Sequence, residues 1–264
     1  GRSTAALEVV GVDREAVAGF LVHVRERMIA RSVLRGAVLT FGQDPMTGAP
    51  TTTFLPRPQV AADEIVLPDG VLDGIVEQVV GIGEHRDALR SLGQHLKRGV
   101  LLYGPPGTGK TLTVRHLLAR TPGTTAVVLT GTSIAHVSAA AEIARTFEPS
   151  IVVLEDVDLV AMQRMHSPQP LLFEVLDALD GLDGDADVAF LLTTNRVEVL
   201  EQALAQRPGR VDLAVEVPLP GIAERRLLLE QRAAGSFSSE AIDRAAAATD
   251  GTTGSFAKEL ARRA

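Results

Sequence analysis

From Asp13 onward, apolar residues return every three or four positions: Val17, Phe20, Leu21, Val24 and Met28. That spacing predicts a helix with Asp13 as its N-cap and Gly36 as its stop. Arg27, Arg31 and Arg35 stand at i,i+4 spacing on the opposite side. They read either as a solvated face or as a surface for an acidic partner. Residues 37–41 and 51–55 are β-rich runs on either side of Gln43-Asp44-Pro45-Met46-Thr47-Gly48-Ala49-Pro50, which predicts a hairpin ended by Pro56 and Pro58.

From about residue 71 the pattern changes. A helix around 84–97 leads into an apolar strand at 100–103, and a helical pattern follows at 112–119. Strands at 126–129, 151–154, 188–192 and 213–217 then alternate with helices around 136–147 and 169–180. Continuous apolar strands separated by helices predict a parallel sheet covered on both faces. After Pro218-Leu219-Pro220-Gly221 the chain reads as helical, over about 222–233, 238–248 and 254–264. The fold class is therefore α/β. Residues 1–70 form a small α+β N-terminal region, 71–220 an αβα domain, and 221–264 a helical lid.

Composition removes several function classes. A net charge of −7 disfavours non-specific nucleic-acid binding, and aromatics at 3%, with Tyr103 the one tyrosine and no tryptophan, argue against base-stacking platforms. The absence of cysteine excludes disulfides and thiolate chemistry and fits a cytoplasmic setting. Apolar runs are too short for a membrane span, and nothing reads as a secretory signal. The start at Gly1-Arg2-Ser3, without Met, reads as a trimmed end.

The chemistry begins at Gly104-Pro105-Pro106-Gly107-Thr108-Gly109-Lys110-Thr111, which has the G-x-x-x-x-G-K-[ST] spacing of a nucleotide-phosphate loop. Strand before and helix after are the context that spacing requires. Backbone N–H groups wrap a phosphate chain only where side chains do not block the approach, hence Gly107 and Gly109. Lys110 supplies a cation for the β- and γ-phosphates, and the Thr111 hydroxyl suits Mg²⁺. The helix that begins here, through Leu112, adds its dipole.

Downstream, the strand at 151–154 ends in Glu155-Asp156, with Asp158 a third acidic candidate. One carboxylate suits the water shell of Mg²⁺ and another the polarisation of an attacking water. Thr193-Thr194-Asn195 ends the next core strand, where a neutral Asn195 can hydrogen-bond a terminal phosphate or water. Arg207-Pro208-Gly209-Arg210-Val211-Asp212 sets two guanidiniums on a rigid turn.

These motifs, with Leu179-Asp180-Gly181-Leu182, occur in one order over about residues 75–264. Together they closely resemble the AAA+ ATPases, in particular the AAA subfamily with its second region of homology. The resemblance implies a P-loop NTPase αβα domain with a helical lid, and a ring, usually hexameric, with ATP and Mg²⁺ between subunits. By motif it implies that residues 104–112 bind phosphate, that Thr111 and Glu155 serve the metal, and that Asp156 orients water. Asn195 is then a sensor of the terminal phosphate, and Arg207 and Arg210 act on a neighbour's site. The stretch Val80-Gly81-Ile82 matches the adenine pocket, and Gly254-Ser255 the lid's approach to nucleotide.

Three departures shape the expectation. The acidic pair runs Glu155 then Asp156, the reverse of the family's usual order, and is similar to the Leu-Glu-Asp-Val-Asp run of mitochondrial Bcs1-like AAA proteins. An aspartate at the water position reaches roughly 1–1.5 Å less far than glutamate, a misplacement on the order of 100-fold in rate. The connector 130–150 is short and lacks the aromatic pore loop of ring unfoldases; Ile134, Ala135, His136 and Val137 are its nearest residues. Three lid helices are read where such lids often have four, so either the chain is trimmed at this end or the last helix is absent. The expected function is ATP hydrolysis in a self-assembled ring that remodels or translocates a protein substrate. The alternative is a slow ATP-dependent switch or assembly scaffold.

Overall fold

The computed structural model describes residues 7–44, 46–158, 185–196, 211–233 and 235–264. The helix expected around 169–180, with Leu179-Asp180-Gly181-Leu182, lies outside them. A seven-stranded sheet runs β2-β1-β4-β5-β6-β3-β7 through the molecule. Its strands are β1 (Val38–Gln43), β2 (Pro50–Leu55), β3 (Arg98–Tyr103), β4 (Thr125–Thr130), β5 (Ser150–Glu155), β6 (Val188–Thr194) and β7 (Leu213–Glu216). Every pairing is parallel except β1 with β2.

Strand alternation builds a core on each face. Leu101, Val152, Leu154, Phe190 and Leu192 pack toward α6 (Val137–Thr146). Val100, Leu102, Val153 and Leu191 pack the other way, toward α5 (Lys110–Arg120) and α2 (Val71–Val76). β6 is buried at all seven positions, as a strand between two helical layers must be. The α/β P-loop architecture expected from the pattern is the one observed. Arg98 and Asp187, both buried, pair at 2.8 Å beneath the sheet, and Arg98 also donates to the Val79 and Leu96 carbonyls.

The N-terminal hairpin differs from expectation in one respect. Val38 and Leu39 pair with Ala126 and Val127, so β1 extends the central sheet across the boundary drawn at residue 70. The reason is burial: Leu39 is fully enclosed, and each face of β1 completes one of the two cores. The segment that follows, residues 56–68, is a strap. Its Arg57 guanidinium donates to the Leu118, Thr121, Gly36 and Thr124 carbonyls, pinning the strap to the end of α5.

Helix α1 (Arg14–Ala30) starts where the sequence predicts, with Asp13 Oδ1 accepting from the Glu15 and Ala16 amides. It ends at Ala30 rather than Gly36, and none of its residues is buried. The helix expected over 84–97 is shorter, α4 (Arg86–Ser91), and the helical run that leads to it starts earlier, as α2, a π turn at Glu77–Gly81 and α3 (Ile82–Glu84). Glycines at 74, 81 and 83 weaken a continuous helix there.

The lid comprises α7 (Ile222–Ala233), α8 (Ser239–Ala248) and α9 (Gly254–Arg263). Leu228, Leu229, Ile242, Ala246 and Ala257 form its core, against which Val66 of the strap packs. Arg225 is buried and donates to the Ala246 and Pro220 carbonyls, joining α7, α8 and the preceding turn.

Candidate nucleotide site

The loop between β3 and α5 is held from below. A Cβ at Gly104 would overlap the Val217 carbonyl, whose own amide donates to Tyr103 at 2.7 Å. No larger residue fits there. Gly107 has φ +76 and Gly109 φ +115, the left-handed backbone that glycine adopts without penalty. Lys110 is buried, and its Nζ donates to the Gly104 and Pro105 carbonyls at 2.7 and 2.8 Å. Thr108 Oγ1 donates to the Pro105 carbonyl at 2.9 Å. Burial lowers the Lys110 pKa, against the opposing pull of Asp156 and Asp158.

The acidic residues separate into distinct settings. Burial raises the Glu155 pKa, countered by a hydrogen bond from Thr111, while neighbouring Asp156 raises it further and Arg115 lowers it. Asp156 has φ +52, a left-handed conformation that aspartate tolerates better than most side chains. Its amide donates to Thr193 Oγ1 at 3.0 Å, and its Oδ1 accepts from Asn195 Nδ2 at 3.2 Å. Asp158 is buried and accepts from Thr194 Oγ1 and from the Asn195 amide. It therefore shapes the β6 end, while Asp156 and Asn195 line the cavity.

That cavity, of about 390 Å³, lies between loop, strap and lid. Residues 106–112 and Arg115 form its floor. From the lid, Gly254, Ser255 and Lys258 face it; the Ser255 amide and hydroxyl both donate to the Gly107 carbonyl, at 3.1 and 3.3 Å. Residues 65–68 supply an apolar wall, with Leu228 of the lid and Pro218 and Pro220 of the turn preceding it.

The stretch expected to form the adenine pocket lies apart from this cavity. Val80 and Gly81 are buried, with Val80 packed in the core under the sheet, and Ile82 is absent from the residues lining the cavity. The apolar wall comes from the strap, more than ten residues earlier. The sequence reading also missed Arg115, Glu224 and Lys258 as lining residues; the i,i+4 spacing from Gly254 is the signal that points to Lys258. Burial lowers the Lys258 pKa, with Arg232 adding to that and Glu64 opposing. Arg207 and Arg210 lie outside the described residues. His136, weighed as a substrate contact, sits edge-on to Phe41 with ring centroids 5.9 Å apart.

Among the described residues no cluster of three metal-ligating side chains occurs. Magnesium bound to a nucleotide needs few protein ligands, because phosphates and water complete its shell. Thr111 beside Glu155 is such a donor set, and the glycine-lined cradle above Lys110 has the room a phosphate chain needs. The residues present fit a Mg²⁺–nucleoside triphosphate.

Residues 100–219 match the model of the ATPase family associated with various cellular activities (AAA). The proteasome-activating nucleotidase of Methanosarcina mazei is 30% identical over 274 residues, covering 93% of this chain and 65% of the relative. That of Methanothermobacter thermautotrophicus is 32% identical, over 77% of this chain and 54% of its own. The 26S protease regulatory subunit 6A of Caenorhabditis elegans is 31% identical, over 66% and 44%. The chain thus spans between 44% and 65% of the length of these relatives. Among the described residues no helix is long and apolar enough to cross a membrane. Sheet order, phosphate loop and matched segment agree: the chain belongs to the AAA family of ATPases.

Proposed function

We propose that this chain binds and hydrolyses ATP with Mg²⁺ at the subunit interfaces of a ring, and that the ring remodels or translocates a protein substrate. The observation that carries this reading is the convergence, on one cavity, of Lys110, Asp156, Asn195 and the lid residue Ser255. In this reading Lys110 exchanges its two carbonyl partners for the β- and γ-phosphates, and the amides of residues 107–111 wrap the chain. Mg²⁺, when bound, neutralises phosphate charge at Thr111 and Glu155. Asp156, oriented by Asn195, accepts the proton of the attacking water. Arg207 and Arg210 complete a neighbour's site, and residues 65–68 hold the base. Because the relatives are named for the proteasome, folded proteins are the first substrates to try.

ATP turnover measured across protein concentration tests the reading. Specific activity rises steeply as the ring forms and is lost in Asp156→Asn with nucleotide affinity retained. Concentration-independent turnover would remove the shared site.

A second reading, a slow nucleotide switch without peptide threading, is favoured by the short Asp156 side chain held by Asn195. Substrate-stimulated unfolding of a folded protein supports the first reading; a single burst of hydrolysis without unfolding supports the second.

A further inference from the structure

Two surfaces of opposite charge lie at opposite ends of the sheet. Between residues 14 and 35 the chain carries five arginines, Arg14, Arg25, Arg27, Arg31 and Arg35, against two glutamates, and all five are exposed. None of the five forms an ion pair among the described residues. The same helix exposes apolar side chains, with Phe20 at 51% and Met28 at 68%. Leu21, Val24, Met28 and Phe147 border an apolar groove of about 410 Å³ beside it. This surface adjoins the β1–β4 end of the sheet, where Leu34 and Ala37 pack into the core.

The counterpart is the segment 61–87, with seven carboxylates against one cation, Arg86, which is already paired with Asp187. All seven are exposed, including Asp69, Asp73, Glu77, Glu84 and Asp87. Leu92, 72% exposed, lies just beyond the strip. The strip rides on α2–α4, which pack over β3 and β7. Four strand spacings separate the β1–β4 pair from the β3–β7 pair, roughly 19 Å.

We infer that α1 of one copy docks on the acidic strip of a second copy, the arginines meeting the carboxylates and Leu92 entering the groove beside Met28. A patch that meets a different patch makes a head-to-tail contact, which is the kind that builds a ring when the rotation between copies closes. The chain's net charge of −7 repels copies overall, so this pairing also fixes which faces meet. The inference rests on the ring reading and adds the surface that builds it.

The test is charge exchange, read by sedimentation velocity with ATP at about 50 mM and about 500 mM salt. Arg27→Glu/Arg31→Glu and Asp73→Lys/Glu77→Lys, each alone, weaken association at least tenfold while retaining the parent's melting midpoint. Mixed in equal amounts they associate again, because both interfaces of an alternating assembly regain opposite charges. Salt dissociates the parent. A parent that assembles while both variants assemble equally, or an exchanged mixture that stays apart, overturns the docking surface and leaves the ring reading standing. A parent that stays monomeric under all conditions overturns both.

Discussion

At Lys110, burial and binding pull in opposite directions. Burial lowers the ammonium's pKa, so the folded state holds that proton less tightly than the unfolded chain. The resulting cost to stability is present below the folded pKa and fades as pH rises toward the unfolded value. Phosphate, however, needs the charged form. Nucleotide affinity should fall as pH rises through the lowered value, below the ordinary lysine range near 10.4. Lys110→Arg, charged throughout, flattens that alkaline limb in a fluorescent-nucleotide titration; an unchanged limb assigns it to another group. Asp156 makes a second separation possible. Asp156→Asn keeps a residue tolerant of φ +52, whereas Asp156→Val adds strain of about 1–2 kcal/mol, read as a lower denaturation midpoint. Equal stability in the two variants would show that the backbone relaxes. The loop Gly104–Thr111 was legible because its geometry is local to one turn. The cavity's apolar wall was not legible, because which distant segment the fold delivers there, residues 65–68, is recorded in no local spacing.

Among the elements, α9 meets the phosphate loop end-on. A methyl at Gly107 would stand 3.1–3.3 Å from Ser255 and Thr253 side-chain atoms, on a backbone with φ +76. Gly107→Ala should therefore loosen the lid: hydrogen exchange at the Ser255 amide accelerates, and nucleotide affinity falls about tenfold or more. Unchanged exchange with lost affinity would place the damage in the loop alone. The strap has a comparable pin. Arg57→Ala releases four carbonyls at the end of α5 and near β4, costing about 2–3 kcal/mol in urea unfolding. The helix at α1 was readable from Asp13 and its apolar repeat. Its exposure was not, because periodicity announces a face without saying whether this copy of the chain covers it.

Across the whole molecule, the hairpin is part of the sheet rather than an appendage. Removing residues 7–56 opens the edge of β4 and strips Val38 and Leu39 from both cores, so the remainder should unfold at a lower temperature and aggregate. A remainder with an unchanged melting midpoint would restore an independent N-terminal unit. The sheet's parallel core and its lid followed from runs of apolar residues. The hairpin's membership did not, because strand pairing across nearly ninety residues leaves no mark within either strand.

The strap offers a practical gauge of occupancy. Glu64 is exposed, sits on a single turn of 3₁₀ helix and adjoins Ile65, the first residue of the apolar wall. A glutamate-specific protease that cuts after Glu64 has to draw Ile65 out of that wall. Nucleotide seated against the wall should slow the cut, and emptying the site should restore it. A timed digest read on a gel then reports how full the cavity is, with no label and no turnover.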